Sequence, residues 1–433
     1  MKILLKIAAL ICCFYFCASC SRNKSLERKF DEYFDALEGH FMGSVLIRCD
    51  GKDVYQRTMG FSDVENRIPA TSLTQYRIGS ISKTFTAVLV LKAATDGMLS
   101  LDDPLEKYFP DAFIPNASQI TIDHLLQHRS GLVDIVNEME VEYFKYHDTP
   151  QSRRQMIRRI AAAGVNFPPD SDYRYCNAGY HLLTYILEDV YGKTYAELVK
   201  ENIAVPAGLL NTRYSESIAS DRGDALSYEY VGDWMIAPET DPSVLSGAGS
   251  LVSTPSDLAR FADYLFDGGF GDGIQEKMTE MDDVHGRGLH LYPTGYGHAG
   301  SVDGFYSLLV VSDSAMVVFC SNGMDRSVDI VNDILNISSG KEVEIPKFGA
   351  GLDSKLIDTY AGTYFIESLG IESDVLAKDG KLYIESMGQY FPLEPTSDTT
   401  FRNDLVGLEI LMDISDRSMV MNLNDQEIKA IKR

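Results

Sequence analysis

The stretch from Tyr76 to Gly97 constrains this chain more than any other. Gly79 supplies a turn, Ser80-Ile81-Ser82-Lys83 follows, and an apolar run continues through Phe85, Val88, Leu89 and Leu91 until Gly97 closes the segment. The pattern predicts a loop entering a largely buried helix, with Ser80 at or near the first turn. Residues three apart share a helix face, so Lys83 is expected beside the Ser80 hydroxyl. A serine hydroxyl is a poor nucleophile until a neighbour takes its proton or stabilises its alkoxide, and a desolvated lysine can do either. The amide donors of a helix start also favour negative charge near Ser80.

The motif is weak alone. Ser-x-x-Lys occurs three times, at Ser21, Ser80 and Ser338. Ser21 follows an apolar amino-terminal segment and Ser338 lies in a Ser/Gly/Lys stretch, so context singles out Ser80.

With 433 residues, 45% hydrophobic and 24% charged, the chain has material for a large core and something smaller beside it. Met1 to Lys6 is basic, Ile7 to Cys17 apolar, and Ala18-Ser19-Cys20 ends the segment with small residues and a cysteine. Residues 1–19 read as a secretory signal, and the ending resembles a bacterial lipobox with Cys20 as the lipidated residue, although Cys17 stands where leucine is usual. A plain cleaved signal is the alternative. Four of the seven cysteines lie in that segment; Cys49, Cys176 and Cys320 remain, which argues against a disulfide framework and a cysteine zinc site. A net charge of −24 repels phosphate backbones and argues against nucleic acid as a partner.

Along the chain, Glu27 to Leu37 has helical spacing, and Gly43 to Ile47 with Asp50-Gly51 and Val54-Tyr55 reads as a hairpin. Ile120 to Leu126 reads as a helix starting near Thr121. His124 and His128, four apart, could suit a metal on one helix face, but no third ligand is evident and a structural role is favoured. Arg153 to Ala163 is a helix with a solvated basic face. Tyr173 to Tyr180 reads as a loop before an apolar helix from His181 to Val190, and it carries the chain's one Tyr-x-Asn, Tyr175-Cys176-Asn177. Residues 211–245 are irregular around Trp234, either walling a pocket or covering the core; Thr254-Pro255 then caps a helix to about Phe266. The glycine-rich Gly295 to Phe305 stretch holds the one His-x-Gly, His298-Ala299-Gly300, and the strand edge near His298 to Ser301 can present a backbone N–H to a substrate oxygen. Strands at Phe305–Val311 and Met316–Ser321 and a helix from about Ser327 to Leu335 follow. The divisions are thus a signal (1–19), a tether (20–26), a main domain (27–337), a linker (338–355) and a small all-β domain (356–433) with a tight turn at Asp379-Gly380.

Taken together, Tyr76 to Lys83, His124 to Leu132, Tyr173 to Tyr180, Gly247 to Phe261 and Gly297 to Phe305 resemble the serine β-lactamase-like family, over roughly residues 27–337. That family embraces class C β-lactamases, D-Ala-D-Ala carboxypeptidases, D-aminopeptidases and related esterases. The resemblance implies an α+β fold, an antiparallel sheet flanked by helices with an all-helical region carrying the Tyr-x-Asn loop. It implies Ser80 as acylated nucleophile, Lys83 as its activating partner, and Tyr175 as general base and then acid. Asn177 would hold Lys83 or the substrate amide, and the backbone N–H groups of Ser80 and Ser301 would form the oxyanion hole, with His298 and Gly300 beside the substrate. One departure matters. True β-lactamases have Lys-Thr-Gly where this chain has His298-Ala299-Gly300, so a neutral imidazole and a methyl replace a cation and a hydroxyl. The Ser-Asp-Asn of class A enzymes and the Gly-x-Ser-x-Gly elbow are absent.

The expected function is therefore a serine hydrolase acting through a Ser80 acyl-enzyme on a D-amino-acid peptide, ester or amide, rather than an efficient β-lactamase. It would need no metal or cofactor and would meet the membrane of a bacterial cell envelope only through a lipid anchor. The alternative is a catalytically weak sensor of peptidoglycan or β-lactams on the same fold. A further reading has the carboxy-terminal β domain docking a partner or covering the site.

Overall fold

The computed structural model describes residues 24–433 except 137–142, 144, 216, 232, 313, 314, 349–353, 379, 387, 388, 404–406, 414, 424 and 425. The expected signal, Cys20, Ser21 and Asp379 lie outside the described residues. A helix, α1, spans residues 24–36. The hairpin β1 (Phe41–Cys49) and β2 (Lys52–Met59) follows. Its two-residue loop, Asp50-Gly51, has φ of 49° and 72°, and Cys49 pairs with Lys52 across it. Positive φ at both positions is the turn whose twist matches the strands, which is why Asp-Gly marks it.

The elements of the main body that position the site include α2 (Ser82–Thr95), α3 (Asn177–Tyr191), α4 (Pro255–Phe266), β3 (His290–Tyr292), β4 (Gly295–Val302), β5 (Phe305–Val311), β6 (Ala315–Met324) and α5 (Ile330–Ser338). The six strands form one antiparallel sheet in the order β3-β4-β5-β6-β1-β2. Strand side chains alternate between faces, and here both faces are apolar. Val45, Ile47, Leu308, Val310, Val317 and Phe319 pack with Phe30 and Phe34 of α1 and Ile330 and Ile334 of α5. Leu46, Leu309 and Val318 face the other way, into the core shared with α2, α3 and α4. Burial on both faces leaves α2 central: every residue from Ser82 to Leu91 is buried, Lys83 included.

Several boundaries differ from the sequence expectation. Helix α3 begins at Asn177 rather than His181, and α5 runs from Ile330 to Ser338 rather than from Ser327 to Leu335. The helix at Ile122–Leu126 is capped by Thr121, which accepts from the His124 N–H while the His124 ring accepts from the Thr121 N–H. His128 lies beyond the end of that helix with φ of 58°, so the two histidines do not share a face. Among the described residues no cluster of three His, Cys, Asp or Glu side chains is arranged to hold a metal ion. Cys49, Cys176 and Cys320 form no disulfide among the described residues. Trp234 packs on the end of the interior strand β6 at Gly323, where a Cβ would meet its ring at 2.6 Å.

A short helix, α6 (Ser354–Tyr360), leads into eight antiparallel strands that close into a barrel, from β7 (Gly362–Ile366) to β14 (Gln426–Lys432). The closing pair is Phe365 opposite Ile431. Tyr364, Val375, Leu382, Phe401, Ile410 and Met419 fill its interior. No helix among the described residues is long and apolar enough to cross a membrane.

Candidate active site

The chain enters α2 through one tight turn, Gly79–Ile81, which holds Ser80 and places Lys83 as the second residue of the helix. Gly79 has φ of 47°, and a Cβ there would lie 2.8 Å from the Ser301 backbone nitrogen. On the facing strand, a Cβ at Gly300 would lie 2.1 Å from the Ile78 carbonyl oxygen. Both positions are glycine because the nucleophile turn and β4 touch backbone to backbone. Ser307 Oγ donates to the Ile78 carbonyl at 2.8 Å, fixing the turn to the sheet.

That contact brings two amides together. Val302 pairs with Phe305 across the two-residue turn Asp303-Gly304, and Ser301 pairs with Tyr306. Hydrogen-bonded and non-bonded pairs alternate in an antiparallel ladder, so the Ser301 N–H points away from β5. Its other side is open, because β3 pairs only with Gly295 to Gly297. Ser80 N and Ser301 N thus border the same cleft, which has a volume of about 620 Å3.

Lys83 Nζ lies 3.0 Å from Ser80 Oγ, 2.7 Å from Asn177 Oδ1 and 2.8 Å from the Ala248 carbonyl oxygen. Tyr175 donates its hydroxyl proton to the same Ser80 Oγ at 2.7 Å. Burial pushes Lys83 down to about 7, opposed by the charge of Asp134. Burial pushes Tyr175 well above the ordinary phenol value, only partly opposed by its bond to Ser80. Desolvation disfavours the charged form of each group, so it makes the lysine a better base and the tyrosine a worse one. The resemblance implied Tyr175 as base; the two burial shifts make the neutral form of Lys83 the more accessible proton acceptor beside Ser80.

The hydrogen-bond inventory gives the same answer. An ammonium has three N–H donors and finds three acceptors. A neutral amine has two N–H groups and one lone pair. Asn177 Oδ1 and the Ala248 carbonyl have no proton to offer, so the lone pair faces the Ser80 hydroxyl.

Asn177 is held in turn. Its Nδ2 donates to Asp134 Oδ2 at 2.8 Å and to the Val136 carbonyl at 3.0 Å, while Asp134 Oδ1 accepts from the Ala178 and Val136 N–H groups at 3.2 Å. Asp134 therefore caps the start of α3 from a distant segment, where a negative charge is favourable. Sequence reading missed it, and no signal marks one carboxylate among 63. It also missed the role of His128, whose Nδ1 accepts from the Cys176 N–H at 3.1 Å and whose ring lies 4.4 Å from that of Tyr175. His290, also unforeseen, lies against His298 with ring centres 4.5 Å apart and the planes tilted by 34°. His298 is 3% exposed, and its Nε2 has no partner among the described residues. Burial holds His298 and His128 well below the usual imidazole range and His290 at about 4. The wall opposite Asn177 is therefore uncharged at neutral pH.

The Beta-lactamase family model matches residues 30–337. The chain belongs to the beta-lactamase family of serine hydrolases. A penicillin-binding protein of Bacillus subtilis strain 168 is 24% identical over 455 residues, spanning 95% of this chain and 99% of its own. Among solved structures, the D-amino acid amidase of Ochrobactrum anthropi SV3 matches 74% of this chain and 98% of its own, with a TM-score of 0.64 and 24% identity. The octameric penicillin-binding protein homologue of Pyrococcus abyssi matches 94% of this chain and 99% of its own, with a TM-score of 0.60 and 24% identity. These likenesses show the fold; the second spans nearly the whole chain.

Proposed function

We propose that this beta-lactamase family member hydrolyses a D-amino-acid peptide, amide or ester through a Ser80 acyl-enzyme. The observation that carries the reading is the buried Lys83, whose only proton-bearing acceptor partner among the described residues is Ser80 Oγ. Neutral Lys83 takes the Ser80 proton as Oγ adds to the substrate carbonyl carbon. The oxyanion is held by the N–H groups of Ser80 and Ser301. As the carbon–nitrogen or carbon–oxygen bond to the leaving group breaks, Tyr175 gives that group its proton and regains one from the Lys83 ammonium. Water then enters and Lys83 takes its proton as the oxygen adds to the acyl carbon; the Lys83 ammonium returns that proton to Ser80 Oγ as the ester bond of the second tetrahedral species breaks. The neutral His298 and the Ala299 methyl supply neither cation nor hydroxyl to a β-lactam carboxylate from the strand side, which favours peptidase or esterase chemistry over efficient antibiotic hydrolysis. We further propose export by the segment 1–19 and tethering to the cell envelope through Cys20, for which the amino-terminal sequence pattern is the support.

Intact mass after exposure to a fluorophosphonate tests the reading. A single adduct is expected, absent in Ser80→Ala. A folded protein that takes no adduct would refute hydrolysis, and acylation by a D-peptide ester without turnover would move the reading to a sensor.

A further inference from the structure

The cleft holds one exposed cation. Arg174 lines it, between Tyr173 and the Tyr175 that contacts Ser80. Its guanidinium makes no hydrogen bond or ion pair with any described residue. Asp170 is taken by Arg129 at 2.7 Å, and Asp172 accepts the Tyr173 N–H. Asn166 lines the same cleft, and its side-chain amide is equally without a partner among the described residues.

Both residues line the cleft, and their backbones are tied to one segment. That segment is 128–134. On one flank Val133 N–H donates to the Gly164 carbonyl and Asn166 N–H to the Gly131 carbonyl. On the other, Asp170 N–H donates to the Arg129 carbonyl and Arg174 N–H to the His128 carbonyl. The backbones carrying Asn166 and Arg174 are therefore fixed to a common support that also carries Asp134 and the His128 behind Tyr175. The other charged groups at the cleft are spoken for: Lys83 by three acceptors and Asp134 by Asn177 and the N–H groups of Ala178 and Val136.

We propose that Arg174, with Asn166 beside it, forms a subsite for a carboxylate on the substrate, so that the enzyme selects substrates carrying a negative charge near the scissile bond. Guanidinium matches carboxylate geometry with two parallel N–H donors, and the asparagine amide adds a third. A chain of net charge −24 repels such a substrate at long range. That repulsion is screened beyond about 8–10 Å in physiological salt, whereas a direct pair in a cleft is screened much less. The carboxylate is thus read from the Tyr-x-Asn wall and not from β4, where the strand offers a neutral imidazole and a methyl.

The inference rests on the acyl-enzyme reading for its meaning but not for its test. Binding is measured by calorimetry on the full chain carrying Ser80→Ala, alone and combined with the Arg174 variants, so that the ligands are not turned over, with two matched pairs: acetyl-D-alanyl-D-alanine against its carboxy-terminal amide, and succinyl-D-alaninamide against acetyl-D-alaninamide. The charged member of at least one pair is expected to bind about tenfold more tightly, the preference vanishing in Arg174→Gln and surviving in part in Arg174→Lys. Fluorophosphonate labelling of Ser80 should be unchanged in both Arg174 variants with Ser80 intact. Equal affinities within both pairs, or a preference that persists in Arg174→Gln, would overturn the subsite. Loss of labelling in the unmutated protein would instead overturn the hydrolase reading and leave the binding result to stand alone.

Discussion

The pH dependence of Ser80 acylation distinguishes the two possible bases. A lysine held near 7 instead of its ordinary 10.5 means that the buried site disfavours the ammonium by about 5 kcal/mol. The neutral amine is the active form, so activity is gained as pH rises through about 7 and lost as pH falls. The free-base fraction is roughly one half at pH 7 and roughly one in a hundred at pH 5. The second-order rate of fluorophosphonate labelling should therefore fall about fifty-fold between those values and level off above about pH 8. The limb can be assigned because the cleft histidines are out of range: His290 titrates near 4, and His128 and His298 lie well below the usual imidazole value.

Two variants complete the argument. Lys83→Met should lower the plateau by about 10²–10⁴ and abolish the limb. Tyr175→Phe should lower turnover of peptides and esters, whose leaving groups need a proton, yet keep the limb near 7. A profile flat from pH 5 to 8, a limb near the ordinary lysine value, or a limb that disappears in Tyr175→Phe while persisting in Lys83→Met would refute lysine as the base.

The oxyanion contact gives another expectation. Ser301→Ala should leave turnover within a few-fold, because the residue contributes an N–H and not its hydroxyl, whereas Ser301→Pro, which removes that N–H where the ladder does not use it, should cost about 10²-fold or more; equal effects of the two would dismiss the assignment. The barrel reaches the cleft through Arg326, which pairs with the buried Glu229 at 2.8 Å and lies 5.0 Å over the Tyr306 ring at the cleft and 4.8 Å over the Phe391 ring of the barrel. Phe391→Leu should change KM for tetrapeptide substrates several-fold while labelling by a small fluorophosphonate stays within twofold; unchanged KM would separate the barrel from the site.

What could be read from the sequence was what adjacent residues decide. Asp50-Gly51 fixes its own turn, Thr254-Pro255 caps its own helix, and Ser80 and Lys83 lie one turn apart by helical spacing. The start of α3 was misplaced by four residues for the opposite reason. Cys176, the residue before it, offers no side-chain cap, and the cap comes from Asp134, some forty residues earlier. The two histidines four apart looked like one helix face because nothing local announced that the helix ends before His128. Alternation marked residues 356–433 as strands, but closure into a barrel depends on the first strand meeting the last, Phe365 with Ile431.

The chemistry divides along the same line. That a serine and a lysine are neighbours is a local fact; that burial favours the lysine's neutral amine is not. Its acceptors come from three separate stretches, Ser80, Asn177 and Ala248, and its desolvation comes from the packing of α2 between the sheet, α3 and α4. Each added acceptor favours the ammonium, while burial opposes it. With two acceptors lacking any proton and the third being the nucleophile itself, losing charge costs the lysine no unsatisfied contact. This is why burial can lower the Lys83 pKa without leaving an orphaned polar group in the core. The spacing is shared with two other Ser-x-x-Lys copies; what sets the Ser80 copy apart in sequence is its helix context, and in the structure its tertiary surroundings place Lys83 Nζ 3.0 Å from the Ser80 hydroxyl with two proton-less acceptors behind it.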